Sequence, residues 1–366
     1  MWSDACKRST ADPGRAGRGY NPAAMDPQSS WVVVGLDNGG NKNNATVLDP
    51  AKGSLVDGMV ETPSRVTEGP EIAVQALVEA FDSILERTGT ARARVRAVGL
   101  DTPGPASADG VISSMGSTNF AHEGWRGFDF RGALEARLRL PVIYNNDGNA
   151  AALYAHHMCF GAEAGRHSSV SAIVGTGLGG GVIEGGRIVK GAAGMAGELG
   201  HVHIPMQGLL AEGQPIPHCN CGFDGDAESV ASLTGIEKNL LPYWLARHPE
   251  HELAKGRSLA QAAKLVRTFG EKGDPMARRI FEQQAMAIGR LFTIAANFSD
   301  PSAYFVGGGV VETAVEFREW FMAKVRENTI LREEQMRAAR FALVPDLDMA
   351  GARGAALAAL EHADRL

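Results

Sequence analysis

From Trp31 onward the chain alternates short apolar runs, glycine turns and longer segments of helical period. Trp31–Asp37 reads as a buried strand, an unbroken apolar run that ends in Asp-Asn-Gly-Gly. A second strand covers residues 44–48, and Gly-rich and polar punctuation follows it. Gly69-Pro70 opens a helix whose inward face is Ile72, Ala76, Leu77, Ala80, Phe81, Ile84 and Leu85. Val95–Leu100 is a strand closed by Asp101-Thr-Pro-Gly-Pro, and residues 130–138 form a short helix. Pro141–Asn145 is a strand that runs directly into the helix start Asp147-Gly-Asn-Ala-Ala-Ala-Leu.

The second half repeats this grammar. Ser168–Val174 is a β-branched strand ending in Gly175-Thr-Gly-Leu-Gly-Gly-Gly181, with the return strand beginning at Val182. Strand, glycine turn and strand thus occur twice, which predicts a duplicated fold. Asp274-Pro275 supplies N-cap and first turn of a long helix that faces Met276, Ile280, Ile288 and Phe292 inward. Then come strand Ala303–Val306, Gly307-Gly-Gly309, a helix, strand Phe341–Pro345 and an Ala-rich helix. Strands alternating with helices indicate α/β layers.

At about 150 residues per domain the chain is long enough for two or three domains. The pattern divides it at 145/146. A domain over 31–145, completed by the last helix at about 350–366, precedes a second over 146–349. Residues 1–30, rich in Gly, Pro, Ser, Asp and Arg without periodicity, read as a disordered tail. That tail is too short and polar for a DNA-reading helix-turn-helix.

Composition narrows the function. Hydrophobic residues make up 44% and the net charge is -6, so no basic excess exists to release counterions from nucleic acid. No apolar run approaches the roughly 20 residues that span a bilayer, and the first residues carry no apolar signal core. Four cysteines make no disulfide framework, and the tight pair Cys219/Cys221 suits a metal better. A reducing cytoplasm is the expected compartment.

Three glycine turns follow buried strands: Gly39-Gly40, residues 175–181 and residues 307–309. Backbone N–H groups approach a polyphosphate closely where no Cβ intervenes. Each loop alone could be a mere hairpin, and none matches GxxxxGK[ST] or GxGxxG. Asp147 stands where a strand gives way to a helix N-terminus, whose positive end favours an ionised carboxylate. Most aspartates at such a point are simply N-caps. Asp37, at a strand end, is equally well a turn former or a metal-facing carboxylate.

Asp37-Asn-Gly-Gly-Asn-Lys42 is similar to the Asp-x-Gly-Gly-Thr-Lys phosphate loop of the ROK family of bacterial sugar kinases and sugar-responsive repressors. The motifs beginning at Asp101, Asn146, Gly175, Gly194, Cys219 and Gly307 follow in that family's order. The resemblance covers about residues 31–360. It implies an actin-like ATPase (ribonuclease H-like) fold, with two α/β domains and an interdomain active-site cleft.

It further implies an ATP-dependent sugar kinase with Asp147 as general base. Asn119, Asn146, Glu198, His201 and Glu228 would bind the sugar. Asp37, Gly39, Gly40, Asn41, Lys42, Gly175, Thr176, Gly177, Gly308 and Gly309 would hold ATP and Mg²⁺. Zinc would sit on His201, Cys219, Cys221 and Asp226. Here the chain departs from the family, because Asp226 replaces the third Cys of C-x-C-G-x-x-G-C. Carboxylates do ligate zinc, though as harder donors than thiolate, and His218 is another available ligand. A second departure is Asn41 for Thr, an amide donor in place of a hydroxyl.

The expected substrate is glucose or a similar hexose. An N-acylated amino sugar or a C7 cyclitol is the alternative, because the same carboxylates suit any ring with vicinal hydroxyls. A non-catalytic sugar sensor is disfavoured by the retained Asp147. Polyphosphate as donor would want a basic groove, which the net charge does not favour. A homodimer is expected, with neither nucleic acid nor membrane as partner.

Overall fold

The computed structural model describes residues 31–363 apart from Gly53, Pro105 and residues 114–119. The tail assigned to residues 1–30 and the candidate Asn119 lie outside the described residues. Two compact units divide the rest. One holds residues 31–168, 181–197 and 344–363; the other holds residues 169–180 and 198–343.

The first unit carries a sheet in the order β3-β2-β1-β4-β5. Its strands are β1 (Val32–Asn38), β2 (Lys42–Asp49), β3 (Ser54–Pro63), β4 (Val95–Thr102) and β5 (Val142–Asn146). β1 lies antiparallel to β2 but parallel to β4, and β4 lies parallel to β5. Helices α1 (Pro70–Thr88), α2 (Phe130–Leu138) and α3 (Asp147–Phe160) follow their strands. Of the helical face read from the sequence, Ala76, Leu77, Ala80, Phe81, Ile84 and Leu85 of α1 are buried, and Ile72 in the first turn is half-buried. In this sheet one strand escaped the pattern. β3 pairs along β2 from Pro63 back to Ser54, where Gly58 and the polar residues beside it break the apolar rhythm.

Strands β6 (Ser168–Val174), β7 (Leu178–Glu184), β8 (Arg187–Ile188), β9 (Ala303–Gly307) and β10 (Arg340–Leu343) form a second sheet in the order β10-β9-β6-β7-β8. Read from the first strand outward this is the same order as in the first sheet, so the duplication expected from the two glycine turns is present. The remaining long helices are α5 (Leu259–Glu271), α6 (Pro275–Ser299) and α7 (Val315–Glu327), preceded by the short α4 (Glu228–Ala231). Asp274 caps α6 by accepting from Ala277 N at 2.8 Å.

Helix α8 (Leu347–Ala363) returns to the first unit. Its small residues let it lie flush on the sheet. A side chain at Gly99 would run into the backbone of Ala355, and one at Gly35 into that of Ala352 and Ala356. Gly354 meets the backbone of Ala150 in α3 just as closely. The compact units differ from the division expected at 145/146, because α3 packs against α8 and stays with the first. Gly99→Ala should push α8 off the sheet and destabilise the protein by about 1–3 kcal/mol, as overpacked cores do; a denaturant midpoint measures this.

His156 is fully buried in α3, with Nε2 2.9 Å from Ala164 O. Burial drives its pKa down from 6.5 to about 4, against the opposing hydrogen bond. The unfolded chain therefore takes up a proton that the folded one refuses. Stability should fall as pH drops from about 6.5 toward 4 and be indifferent to this group above that range. His156→Gln should show a smaller loss of urea midpoint between pH 7 and pH 5 than the parent protein. Among the described residues no helix is long and apolar enough to cross a membrane.

Candidate functional site

In the first unit, chemistry gathers at the C-terminal ends of β1, β4 and β5, the edge where parallel sheets present ligand sites. The turn after β1 is closed by Gly39 N donating to Lys42 O at 2.8 Å. It includes Gly40 and an exposed Asn41, and Lys42 is ion-paired with Glu61 at 2.8 Å. Asp37 accepts from Asn44 Nδ2 at 2.9 Å. Burial raises the Asp37 pKa to about 6; the Asn44 hydrogen bond opposes this and the charge of Asp147 adds to it. Asp101 is wholly buried and stands well above the usual carboxylate range, through burial first and then the charges of Asp37 and Asp147.

The start of α3 resolves the ambiguity about Asp147. Its N-cap is Asn146, whose Oδ1 accepts from Asn149 N at 2.7 Å. Asp147 is the first helical residue and is exposed, with Oδ1 accepting from Gly148 N at 2.7 Å. The capping duty falls on the amide, and the carboxylate faces outward at the positive helix end.

In the second unit two glycine loops share one sheet end. β6 and β9 run parallel with Ile173 opposite Gly307, and Gly308, at φ 85°, lies against the backbone of Val174. The 175–177 loop is pinned by its carbonyls. Gly175 O accepts from Leu233 N at 3.0 Å, and Thr176 O accepts from Thr234 N and Oγ1 at 3.1 and 2.9 Å. Gly309 O accepts from Arg267 at 2.6 Å. Gly177 passes close to the Glu228 carboxylate, which accepts from Leu178 N at 2.8 Å.

The loop carrying the cysteines turns back on itself because Gly222 and Gly225 adopt positive φ, 96° and 78°. Cys219 N donates to Phe223 O and Gly225 N to Pro217 O, each at 2.8 Å. Ligand atoms of His201, Cys219, Cys221 and Asp226 consequently lie within 4.8 Å of one another. Asp226 Oδ2 is 3.2 Å from His201 Nδ1 and 3.4 Å from Cys221 Sγ, and Cys219 Sγ is 3.8 Å from the same His201 atom. A tetrahedral zinc with bonds of 2.0–2.3 Å places its ligands about 3.3–3.8 Å apart, so this set closes with small movements. Burial opposes ionisation of Asp226, yet hydrogen bonds from Cys219, Ser229 N, His201 and Cys221 together bring its pKa below the usual carboxylate value. The same burial raises the Cys219 thiol. His218 lies outside the set and pairs with Asp224 at 2.7 Å. Glu198 is half-buried, and its carbonyl accepts from His201 N at 3.2 Å, so both candidates sit on one turn.

The sequence profile of the ROK family matches residues 33–362. The chain belongs to the ROK family. A glucokinase from Halalkalibacterium halodurans is 32% identical over 286 residues, 76% of this chain and 80% of that protein. The solved ROK hexokinase from Thermus thermophilus is 32% identical with TM-score 0.71, covering 92% of this chain and all of that one. The ROK glucokinase from Streptomyces griseus, solved with glucose and AMPPNP, is 27% identical with TM-score 0.65, covering 90% and 99%. The fold is the actin-like ATPase fold expected from the motifs.

Proposed function

We propose that this ROK-family chain is an ATP-dependent sugar kinase that phosphorylates a primary hydroxyl of glucose or a similar hexose, with Asp147 as the base. The observation that carries this reading is the exposed carboxylate of Asp147, released from capping by Asn146. Phosphoryl transfer asks a protein mainly to position the acceptor, cradle the phosphates and accept one proton. Asp147 would take the proton from the attacking hydroxyl oxygen. The glycine turns at 39–40, 175–177 and 308–309, with Asn41 and Lys42, would offer backbone and side-chain donors to ATP. Lys42 would first have to leave Glu61.

Asp37 is the carboxylate that would face Mg²⁺, and its half-buried position beside Asp101 suits a cation. The metal, when bound, withdraws negative charge from the phosphates. Asn146, Glu198, His201 and Glu228 would bind the sugar. His201 turns its Nδ1 toward Asp226 and Cys219, which leaves its Nε2 edge for a hydroxyl. His201, Cys219, Cys221 and Asp226 would hold a structural zinc.

An ADP-release assay over a panel of hexoses, N-acylated amino sugars and cyclitols tests the reading. Glucose should give the highest kcat/KM. Preference for another ring would move the substrate and leave the kinase, while no turnover with any ring would overturn both.

A further inference from the structure

Four polar residues stand in one row across four adjacent strands. Asn44 of β2 is the register partner of Asp37, Asp37 of Asp101 in β4, and Asp101 of Asn145 in β5. Register partners in neighbouring strands project to the same face. Gly351 of α8 covers that face. The point where its side chain would begin lies 2.9 Å from Asp101 Oδ2 and 3.1 Å from Asp37 Oδ2. The two carboxylates therefore converge on space left open because residue 351 is glycine.

The row is short of hydrogen-bond partners. Both Asp101 oxygens, both Asn145 amide atoms and Asn44 Oδ1 are buried with no partner in the protein. Asp101 is fully buried and Asn145 is 4% exposed. Buried polar atoms are normally satisfied, and a group of orphans signals an absent ion or ordered water. Most of these orphans are oxygen acceptors, and no nitrogen ring or sulfur stands among the four residues. That donor set suits a hard divalent cation. Two carboxylates also match its charge.

We propose that Asp37 and Asp101, flanked and oriented by Asn44 and Asn145 at the two ends of the row, bind a divalent cation before any nucleotide arrives, so that Asp101 is a ligand of this site. The inference extends the reading of Asp37 as the metal-facing carboxylate. It needs neither sugar nor ATP, so its test can fail while the kinase reading stands. The exposed Asp147 marks the side by which the ion enters. Asp101 touches no substrate in this scheme.

The probe is Mn²⁺, titrated by electron paramagnetic resonance into the full chain saturated with zinc and free of nucleotide and sugar. One Mn²⁺ should bind per chain. Asp101→Asn and Asn145→Ala should each weaken it by at least about tenfold, as loss of a carboxylate or its supporting oxygen does at metal sites. A thermal melt separates ligand from mere scaffold. Without metal, Asp101→Asn should be as stable as the parent or more so, because a repelling carboxylate is gone. With Mn²⁺ the parent should gain stability and the variant should not. Absence of nucleotide-free binding, or binding indifferent to Asp101→Asn, would overturn the proposal. So would a variant that is destabilised equally with and without metal.

Discussion

Asp147→Asn is expected to reduce turnover by about 10²–10⁴-fold, the usual contribution of a positioned general base, while sugar affinity changes little. The amide keeps the shape of the side chain and its hydrogen bond from Gly148 N, yet it cannot take a proton. Asn146 still caps α3, so the helix start should survive the change, and circular dichroism should be unaltered. Calorimetry with the sugar and single-turnover kinetics with ATP separate binding from chemistry. A variant with kcat near that of the parent would place the base elsewhere, and Glu198 would be the next residue to replace.

Removal of the proposed zinc should have the second large effect. Structural zinc contributes apparent binding free energies of about 10–16 kcal/mol in small metallo-domains. Here the four ligands come from two loops, one carrying His201 and one carrying residues 219–226. Losing the ion would free both loops, and with them the ring of His201. It would also release the turn leading to Glu228, whose Oε1 lies 3.5 Å from Cys219 Sγ. Strong chelator or Cys221→Ser should therefore weaken sugar binding and lower the melting temperature, with nucleotide binding preserved. Asp226→Cys should tighten zinc. Elemental analysis of protein purified without chelator provides the count, and full activity at substoichiometric zinc would reduce His201 to a sugar ligand alone.

Much of the fold was legible because strands such as β1 and β4 advertised themselves by apolar runs, and helices such as α1 and α6 by their period. Twin glycine turns gave away the duplication. β3 was not legible, since an edge strand paired on one side need not be uniformly apolar. Which compact unit α3 joins was not legible for a related reason: nothing local in it says that Ala150 will press against Gly354 two hundred residues away.

At the site, sequence spacing could name Asp147 but not decide whether it caps its helix. That depended on which of two adjacent side chains turned back to the Asn149 amide. Asp101 illustrates the opposite failure. Its motif was visible, yet its place beside Asp37 arises only from strand register, which no single segment encodes. An acid terminating the otherwise apolar run Ala97–Leu100 was the signal available. His218 was an available alternative to Asp226 from sequence; the hairpin sets it outward and holds Asp226, fully buried, toward Cys221.

Helix α8 also has a consequence for synthesis. The sheet it covers is threaded near the start of the described chain, and Asn44 reaches Asp348 across a separation of 304 residues. A nascent chain on the ribosome would expose β1 and β4, with Gly35 and Gly99 uncovered, until Leu347–Ala363 emerges. Domains tend to fold as they emerge, but this one must wait until Leu347–Ala363 has been made. The carboxylates Asp37 and Asp101 would meanwhile remain solvated at ordinary acidity. Premature termination anywhere before Leu347 would thus yield a chain with a bare sheet face, a ready client for chaperones and proteases rather than a half-active enzyme.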